Sequence, residues 1–96
     1  MKKITIVYNS AINDEIMGLL AECNIKSYTK IENVFGCGST SGPHLGNNVW
    51  PGKNDLIFAI VADSTKDIFL GKFKNIKTQF AKEGLKTFIE NVEEII

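Results

Sequence analysis

The spacing of hydrophobic positions along the chain predicts a strand followed by a helix in its first quarter. Residues 3–8 form a short run rich in β-branched side chains, which predicts a first strand. Apolar residues then recur every three or four positions, which is the spacing of one buried helical face. Ser10 stands where it can cap this helix, and Asn24 where it can end it. The predicted buried positions are Ile12, Ile16, Leu19, Leu20 and Cys23.

The rest of the chain repeats strands around a second helix. Residues 25–36 predict a second strand, and residues 56–62, which are nearly all apolar, predict a central strand covered on at least one face. Ser64 or Thr65 caps the second helix, and Gly84 stops it. Its predicted buried stripe is Ile68, Phe69, Phe73, Ile76 and Phe80.

Residues 85–96 predict a fourth strand, so the element order is β-α-β-β-α-β. This is the α+β, ferredoxin-like arrangement: an antiparallel sheet with two helices on one face, and with its other face open to solvent or to another subunit. We expect one domain over residues 1–96, with a long connection over about 36–54. Such a connection is far longer than two neighbouring strands need, and loops of this length usually carry function.

Composition excludes several functional classes. The 96 residues include eleven basic and eleven acidic side chains, so no global charge attracts nucleic acid or an anionic membrane. The initial apolar run is too short for a signal peptide, and no stretch of 18 apolar residues occurs. We therefore expect a cytoplasmic protein whose two cysteines, Cys23 and Cys37, are free thiols.

The long connection concentrates unusual residues. Residues 33–55 hold five of the eight glycines, both prolines, the only histidine and the only tryptophan. Glycine backbone and hydroxyl groups together predict a concave anion site, although neither a P-loop nor a dinucleotide fingerprint is present. The candidate ligand-binding residues of this segment are Gly36, Cys37, Gly38, Ser39, Thr40 and Gly42.

Two further residues of the connection are candidates for ligand contact. Lys53, at the end of the connection, favours an anionic ligand. Trp50 stacks either on a ligand or on its own or a neighbouring subunit, since an indole in a polar loop needs an apolar partner.

Cys37 and His44 form a second candidate site. A thiolate and an imidazole are ligands for zinc or copper(I), but two ligands do not complete a tetrahedral site. Further ligands would come from Asp55, Asn47 or Asn48, or from another subunit. As a nucleophile and base the pair lacks an orienting third group, so we do not expect an enzyme.

The segment "ENVFGCGSTSGPH" resembles the start of the T-loop in the nitrogen-regulatory PII proteins and their PII-like relatives. Many of these proteins leave their second strand through a V-x-G-x-G-x-x-x-G-H run. Here Val34, Gly36, Gly38, Gly42 and His44 match it, with Pro43 inserted before the histidine. The element order and the MKKI start also resemble this family.

The resemblance implies a homotrimer whose sheets pack inward, with ligands in clefts between subunits. It also implies a T-loop that changes shape on ligand binding and regulates a membrane or cytoplasmic partner protein. In the family, the glycine-rich start of this loop lines a cleft for adenine nucleotides, a role that falls here on Gly36, Cys37, Gly38 and Ser39.

The chain departs from the family pattern between the second helix and the last strand. The second phosphate-binding loop of PII proteins, T-G-x-x-G-D-G-K-I, is replaced by "TQFAKEGLKTFI", in which only Gly84 and Lys86 remain. The chain is thus similar to a divergent, shortened PII-like regulator whose ligand is an anion, a nucleotide or another metabolite. The alternative is a divalent or soft metal bound through Cys37 and His44, as the resemblance to the trimeric cation-tolerance proteins implies.

Overall fold

The structure, a computed structural model, describes residues 1–38, 42–44 and 53–96. Six strands and two α-helices are present in these ranges, together with one turn of 3-10 helix at Ser10–Ile12. The helices are α1 (Asn13–Glu22) and α2 (Asp63–Gln79). The strands are β1 (Lys2–Asn9), β2 (Thr29–Val34), β3 (Gly36–Gly38), β4 (Gly42–His44), β5 (Asn54–Val61) and β6 (Lys86–Asn91).

Four strands form one sheet in the order β2-β5-β1-β6. Each neighbouring pair is antiparallel, so β1 and β2 run parallel to each other with β5 between them. This is the predicted ferredoxin-like arrangement, and β5 is central as its apolar run indicated. The strands β3 and β4 form a separate two-stranded hairpin that the sequence did not reveal.

Alternation along the strands separates a helix-covered face from an open one. Ile4, Ile6 and Tyr8 of β1 are buried in one core with residues of both helices. The opposite face of the four-stranded sheet, here called the open face, carries the intervening residues. Its large apolar side chains are Val7, Ile31, Leu56, Phe58, Ile60 and Phe88.

The first helix packs as its periodicity predicts, and all five predicted positions, Cys23 included, are buried. Its cap differs from the prediction. The cap residue of α1 is Ile12, with no side-chain hydrogen bond, and the 3-10 turn before it is capped by Asn9, whose side chain accepts from the Ala11 amide at 2.9 Å. The Ser10 hydroxyl instead donates to Asp55 Oδ1 at 2.9 Å, so it is not available as a cap.

The predicted stripe of α2 is correct except at Ile68. Phe69 and Phe73 are buried with ring centroids 5.5 Å apart, and Ile76 and Phe80 pack against the same core. Ile68 is 54% exposed, because the residue on the other side of Phe69, Leu70, faces the core instead. Ile68 and Leu70 lie on opposite sides of Phe69, about 200° apart around the helix axis, so only one of the two can join the stripe.

Both ends of α2 also differ from the prediction. The cap residue is Ala62, with no side-chain hydrogen bond, so neither Ser64 nor Thr65 caps the helix. The helix ends at Gln79 because Phe80 leaves helical geometry (φ −116°, ψ 42°), before Gly84 is reached. Within residues 1–38, 42–44 and 53–96, neither α1 nor α2 has the length and apolar composition of a membrane-spanning segment.

Candidate ligand site at the base of the long connection

The long connection leaves the sheet at the end of β2 and returns at the start of β5. We call these two segments, residues 33–36 and 53–55, the loop base. The pairing between β2 and β5 is irregular there, since the register shifts between Ile31 and Val34. Asn33 takes a left-handed conformation (φ 58°) within this bulge. Bulges of this kind redirect a strand, and this one turns the chain out of the sheet toward Gly36.

Asp55 organises the helix-side half of the loop base. Its side chain is only 4% exposed, yet both carboxylate oxygens have partners. Oδ1 accepts from the Ser10 hydroxyl at 2.9 Å and from the Asn33 amide at 3.2 Å. Oδ2 lies 3.7 Å from Lys30 Nζ. One buried carboxylate therefore joins the end of β1, the bulge in β2 and the start of β5.

A second group of polar contacts extends this network to α1. The Asn13 side-chain oxygen accepts from the Tyr8 hydroxyl at 2.6 Å and from Lys30 Nζ at 2.9 Å. Tyr8 is fully buried, and its burial together with the nearby negative charge of Asp55 raises the pKa of its phenol. This hydroxyl therefore stays protonated and keeps donating at neutral pH.

Asn54 occupies the opposite half of the loop base. Because successive strand residues alternate, it points to the open face, where its register partners are Asn9 and Val34. It is 6% exposed, and its Oδ1 atom has no hydrogen-bond partner among the described residues. Its Nδ2 atom lies 3.4 Å from the point where a Cβ on Gly36 would stand. The glycine therefore leaves the Asn54 amide in contact with bare backbone.

Several candidate residues from the sequence lie in or next to the loop base. Gly36, Cys37 and Gly38 form β3, and their register partners in β4 are His44, Pro43 and Gly42, respectively. Cys37 and His44 are therefore not register partners of each other. Their side chains, and the residues Ser39, Thr40 and Trp50, lie outside what the structure describes.

Lys53 is exposed, and its carbonyl oxygen accepts from the Ser10 amide at 2.6 Å. The backbone at Lys53 thus fastens the returning end of the connection to the end of β1. No group of three or more His, Cys, Asp or Glu suited to a metal is found within residues 1–38, 42–44 and 53–96. Metal binding by Cys37 and His44 stays a prediction.

Sequence reasoning missed most of the polar network. Asp55 appeared only as a possible metal ligand, and Tyr8, Lys30 and Asn54 did not appear as site residues. One signal was present: the pair Asn54-Asp55 begins an otherwise apolar strand. Polar residues that start a buried strand are positioned at a sheet end, where loops and ligands meet.

The open face carries an unusual amount of exposed apolar surface. Ile31, Ile60 and Phe88 are 48%, 37% and 52% exposed. A shallow groove of about 300 Å³ crosses this surface between the start of β2 and β5, and its lining includes Tyr28 and Phe58. Exposed apolar patches on small proteins commonly mark interaction surfaces.

Solved structures with this fold include PII-like proteins. A nitrogen regulatory PII-like protein from Thiomonas intermedia K12, bound to ADP, AMP and bicarbonate, superposes with a TM-score of 0.79 at 24% identity, covering 95% of this chain and 84% of that one. Its apo form gives 0.66 at 19% identity, covering 95% and 89%. A PII-like signalling protein from Thermus thermophilus gives 0.68 at 22% identity, covering 95% and 85%.

These likenesses establish a shared fold. No curated protein matches the chain. The sequence model of one family, described as nitrogen regulatory protein P-II, matches residues 1–96. Because that match spans the whole sequence, this chain belongs to the nitrogen regulatory protein P-II family.

Proposed function

We propose that this protein binds an adenine nucleotide at the loop base, in clefts between the subunits of a homotrimer, and regulates a partner protein through its long connection. PII-family proteins are signalling proteins and not enzymes, so the loop base is a sensing site rather than a catalytic one. The observation that carries the proposal is the apolar open face, whose loop end holds Gly36 and the buried amide of Asn54.

The open face supports the assembly. A chain of this size buries only about two thirds of its unfolded surface, so subunit contacts are a natural source of further stability. Packing three open faces together would bury Ile31, Phe58 and Phe88, which single subunits leave wholly or partly exposed. Ligand clefts would then lie at the rims of these faces, next to the loop base.

The ligand class is inferred from the relatives and from the charges at this rim. The Thiomonas intermedia protein is bound to ADP, AMP and bicarbonate, and we carry the adenine nucleotide over to this chain. Lys86 of β6 stands opposite Val7 and therefore on the open face, near its loop end. Together with Lys53 it offers positive charge for phosphate groups. Gly36, Cys37, Gly38 and Ser39 supply backbone amides, as the family resemblance implies.

Titration calorimetry of the purified protein with ADP and AMP tests the nucleotide part of the proposal. We expect saturable binding of one nucleotide per subunit, and a Lys86→Ala variant with weaker affinity for ADP. Asp67→Asn, on the exposed side of α2, is the control and leaves the affinity unchanged. Addition of bicarbonate in a separate series shows whether it binds with the nucleotide. Absence of heat with both nucleotides contradicts the proposed ligand class.

The proposed regulation through the long connection is tested by a separate experiment. If ligand binding orders the connection, limited proteolysis within residues 39–52 should slow when ADP is present. Cleavage at an unchanged rate under saturating ADP would separate ligand binding from any action of the connection. If residues 1–96 form one domain, as the sequence predicts, cleavage should leave the sheet and helices folded.

A further inference from the structure

Asn54 presents a buried hydrogen-bond acceptor that nothing described in the structure uses. Its side chain is 6% exposed, and its Oδ1 atom meets no donor among the described residues. Buried polar atoms are nearly always paired, and an unpaired one typically costs about 1–3 kcal/mol. Because an unpaired acceptor is this destabilising, we expect a donor from another molecule or from another part of the chain.

The polar side chains around Asn54 make no hydrogen bond to its Oδ1 atom among the described residues. Asn9, its partner across β1, uses its own Oδ1 to accept from the Ala11 amide. The Ser10 hydroxyl and the Lys30 amine donate to Asp55 and Asn13 on the other face of the sheet. The Ser10 and Lys30 donors face away from the open face, and the Asn9 amide, which shares that face with Asn54, makes no hydrogen bond to Asn54 Oδ1.

Asn54 lies where it would form one wall of the proposed cleft. It stands at the loop end of the open face, with the bare backbone of Gly36 beside its Nδ2 atom. Lys86 stands on the same face, opposite Val7 on the far side of β1. Two strand spacings separate β5 from β6, and their register positions on β1, Asn9 and Val7, are two residues apart, which places Asn54 and Lys86 about 12 Å apart across the sheet. A nucleotide can bridge that distance.

We propose that Asn54 determines ligand specificity by accepting a hydrogen bond from a hydroxyl or amino group of the bound nucleotide. This inference rests on the proposed nucleotide binding. An acceptor at this point disfavours the unprotonated oxygens of phosphate groups, which are themselves acceptors, so the phosphate part of the ligand lies toward Lys86. Both donor-bearing parts of ADP, the ribose hydroxyls and the adenine amino group, have the required chemistry.

The first experiment compares wild type with Asn54→Leu and Asn54→Ala by titration calorimetry with ADP. Each variant should bind ADP about tenfold more weakly, the effect of about 1.4 kcal/mol. The ligand-free variant Asn54→Leu should melt at the same temperature as wild type or higher, since it replaces an unpaired acceptor with an apolar side chain of similar size. Asn75→Leu, on the exposed surface of α2, is the matched control and should leave ADP affinity unchanged.

The two sources of the donor are separated by analogues. Inosine diphosphate lacks the adenine amino group, and 2′-deoxy-ADP lacks one ribose hydroxyl. The analogue that removes the true donor should bind wild type about tenfold more weakly and should lose little further affinity in Asn54→Ala. Equal losses in wild type and variant for every analogue, including 3′-deoxy-ADP, overturn the proposal.

Three further outcomes would each decide whether the role of Asn54, the proposed function or both are wrong. If wild type binds ADP and both Asn54 variants bind it equally well, Asn54 does not contact the ligand, while the proposed function stands. If ligand-free Asn54→Leu and Asn54→Ala both melt several degrees lower, the donor lies within the protein and the proposal is wrong. If wild type binds no adenine nucleotide, the proposed function and this inference fail together.

Discussion

Lys30 Nζ lies 3.7 Å from Asp55 Oδ2, and this pair joins the strand that leads into the long connection to the strand that leads out of it. Asp55 is almost wholly buried and the Lys30 side chain is 23% exposed, so the pair is shielded from solvent. A shielded ion pair stays together, because separating it would leave each charge poorly solvated. The loop base is therefore a firm support for the two ends of the connection.

Removing the Asp55 charge should destabilise the protein. In Asp55→Leu the Lys30 amine loses its counter-ion, and the Ser10 hydroxyl and Asn33 amide lose their acceptor. We expect the free energy of unfolding to fall by about 2–4 kcal/mol, measured by urea denaturation. Asp63→Leu is the control, since Asp63 pairs with the chain's amino terminus at the exposed surface and should change stability by less than about 1 kcal/mol. A similar small effect at Asp55 would show that the network does not support the fold.

The sheet and helices were predictable from the sequence because each element has a clear hydrophobic period. The β-branched run at residues 3–8 correctly indicated a strand, and the continuous apolar run at 56–62 correctly indicated a central one. Ile68 was misplaced because Ile68 and Leu70 flank Phe69 symmetrically, and only packing selects between them. Periodicity indicates that the helix has one apolar face, but it does not decide which of the two residues flanking Phe69 belongs to that face.

The polar network was not predictable in the same way. Lys30, Asn13 and Asp55 are far apart in sequence, and each is an ordinary polar residue in its own segment. They meet because antiparallel pairing of β2 with β5 places Lys30 beside Ile57, and hence two residues from Asp55 on the same face. The glycines at positions 36, 38 and 42 were a visible signal, since their clustering is rare. Asn54 became noticeable only when its burial was known.

Tyr8 and Cys23 should make the protein sensitive to alkaline pH. Burial raises the pKa of both groups, and the negative charge of Asp55 adds to the effect on Tyr8. The unfolded chain then releases these protons at a lower pH than the folded protein. Stability is thus fully present below the ordinary pKa values near 9 and 10, and falls as the pH rises above them.

Urea denaturation between pH 7 and 11 measures this effect. Tyr8→Phe should lose about 1 kcal/mol at pH 7, because the hydrogen bond to Asn13 is gone, but should show a shallower decline above pH 9.5. Parallel curves for Tyr8→Phe and wild type would contradict the assigned cause.

Two glycines inside the helices should be replaceable with a gain in stability. A Cβ added at Gly18 in α1 or at Gly71 in α2 meets no atom within 4 Å. Alanine lowers the conformational entropy of the unfolded chain and favours the helix, so each substitution should add about 0.5–1 kcal/mol. Thermal unfolding of Gly18→Ala, Gly71→Ala and the double variant checks this. A loss of stability at either position would contradict this expectation.

Gly36→Ala tests whether ADP binds beside Gly36, because the variant should change ligand affinity without changing the stability of the fold. A Cβ at this position would stand 3.4 Å from Asn54 Nδ2, an ordinary contact, so the variant should fold with stability within about 0.5 kcal/mol of wild type. The added methyl group occupies space beside the amide that the proposed nucleotide needs. We expect ADP affinity to fall while the melting temperature holds, with Gly71→Ala as the control for a glycine far from the site. Unchanged ADP affinity would show that ADP does not bind next to Gly36.

The open face should govern assembly. Phe88 and Ile68 have similar exposures, 52% and 54%, but Phe88 lies on the open face and Ile68 on the outer surface of α2. Replacing an apolar residue at a subunit interface with an acid buries an unpaired charge, which interfaces rarely tolerate. Phe88→Glu should therefore dissociate the trimer in sedimentation velocity at micromolar concentration, whereas Ile68→Glu should sediment as wild type. A wild type that sediments as a monomer contradicts the assembly outright, and a trimer that survives Phe88→Glu but not Ile68→Glu would place the interface on the helices instead.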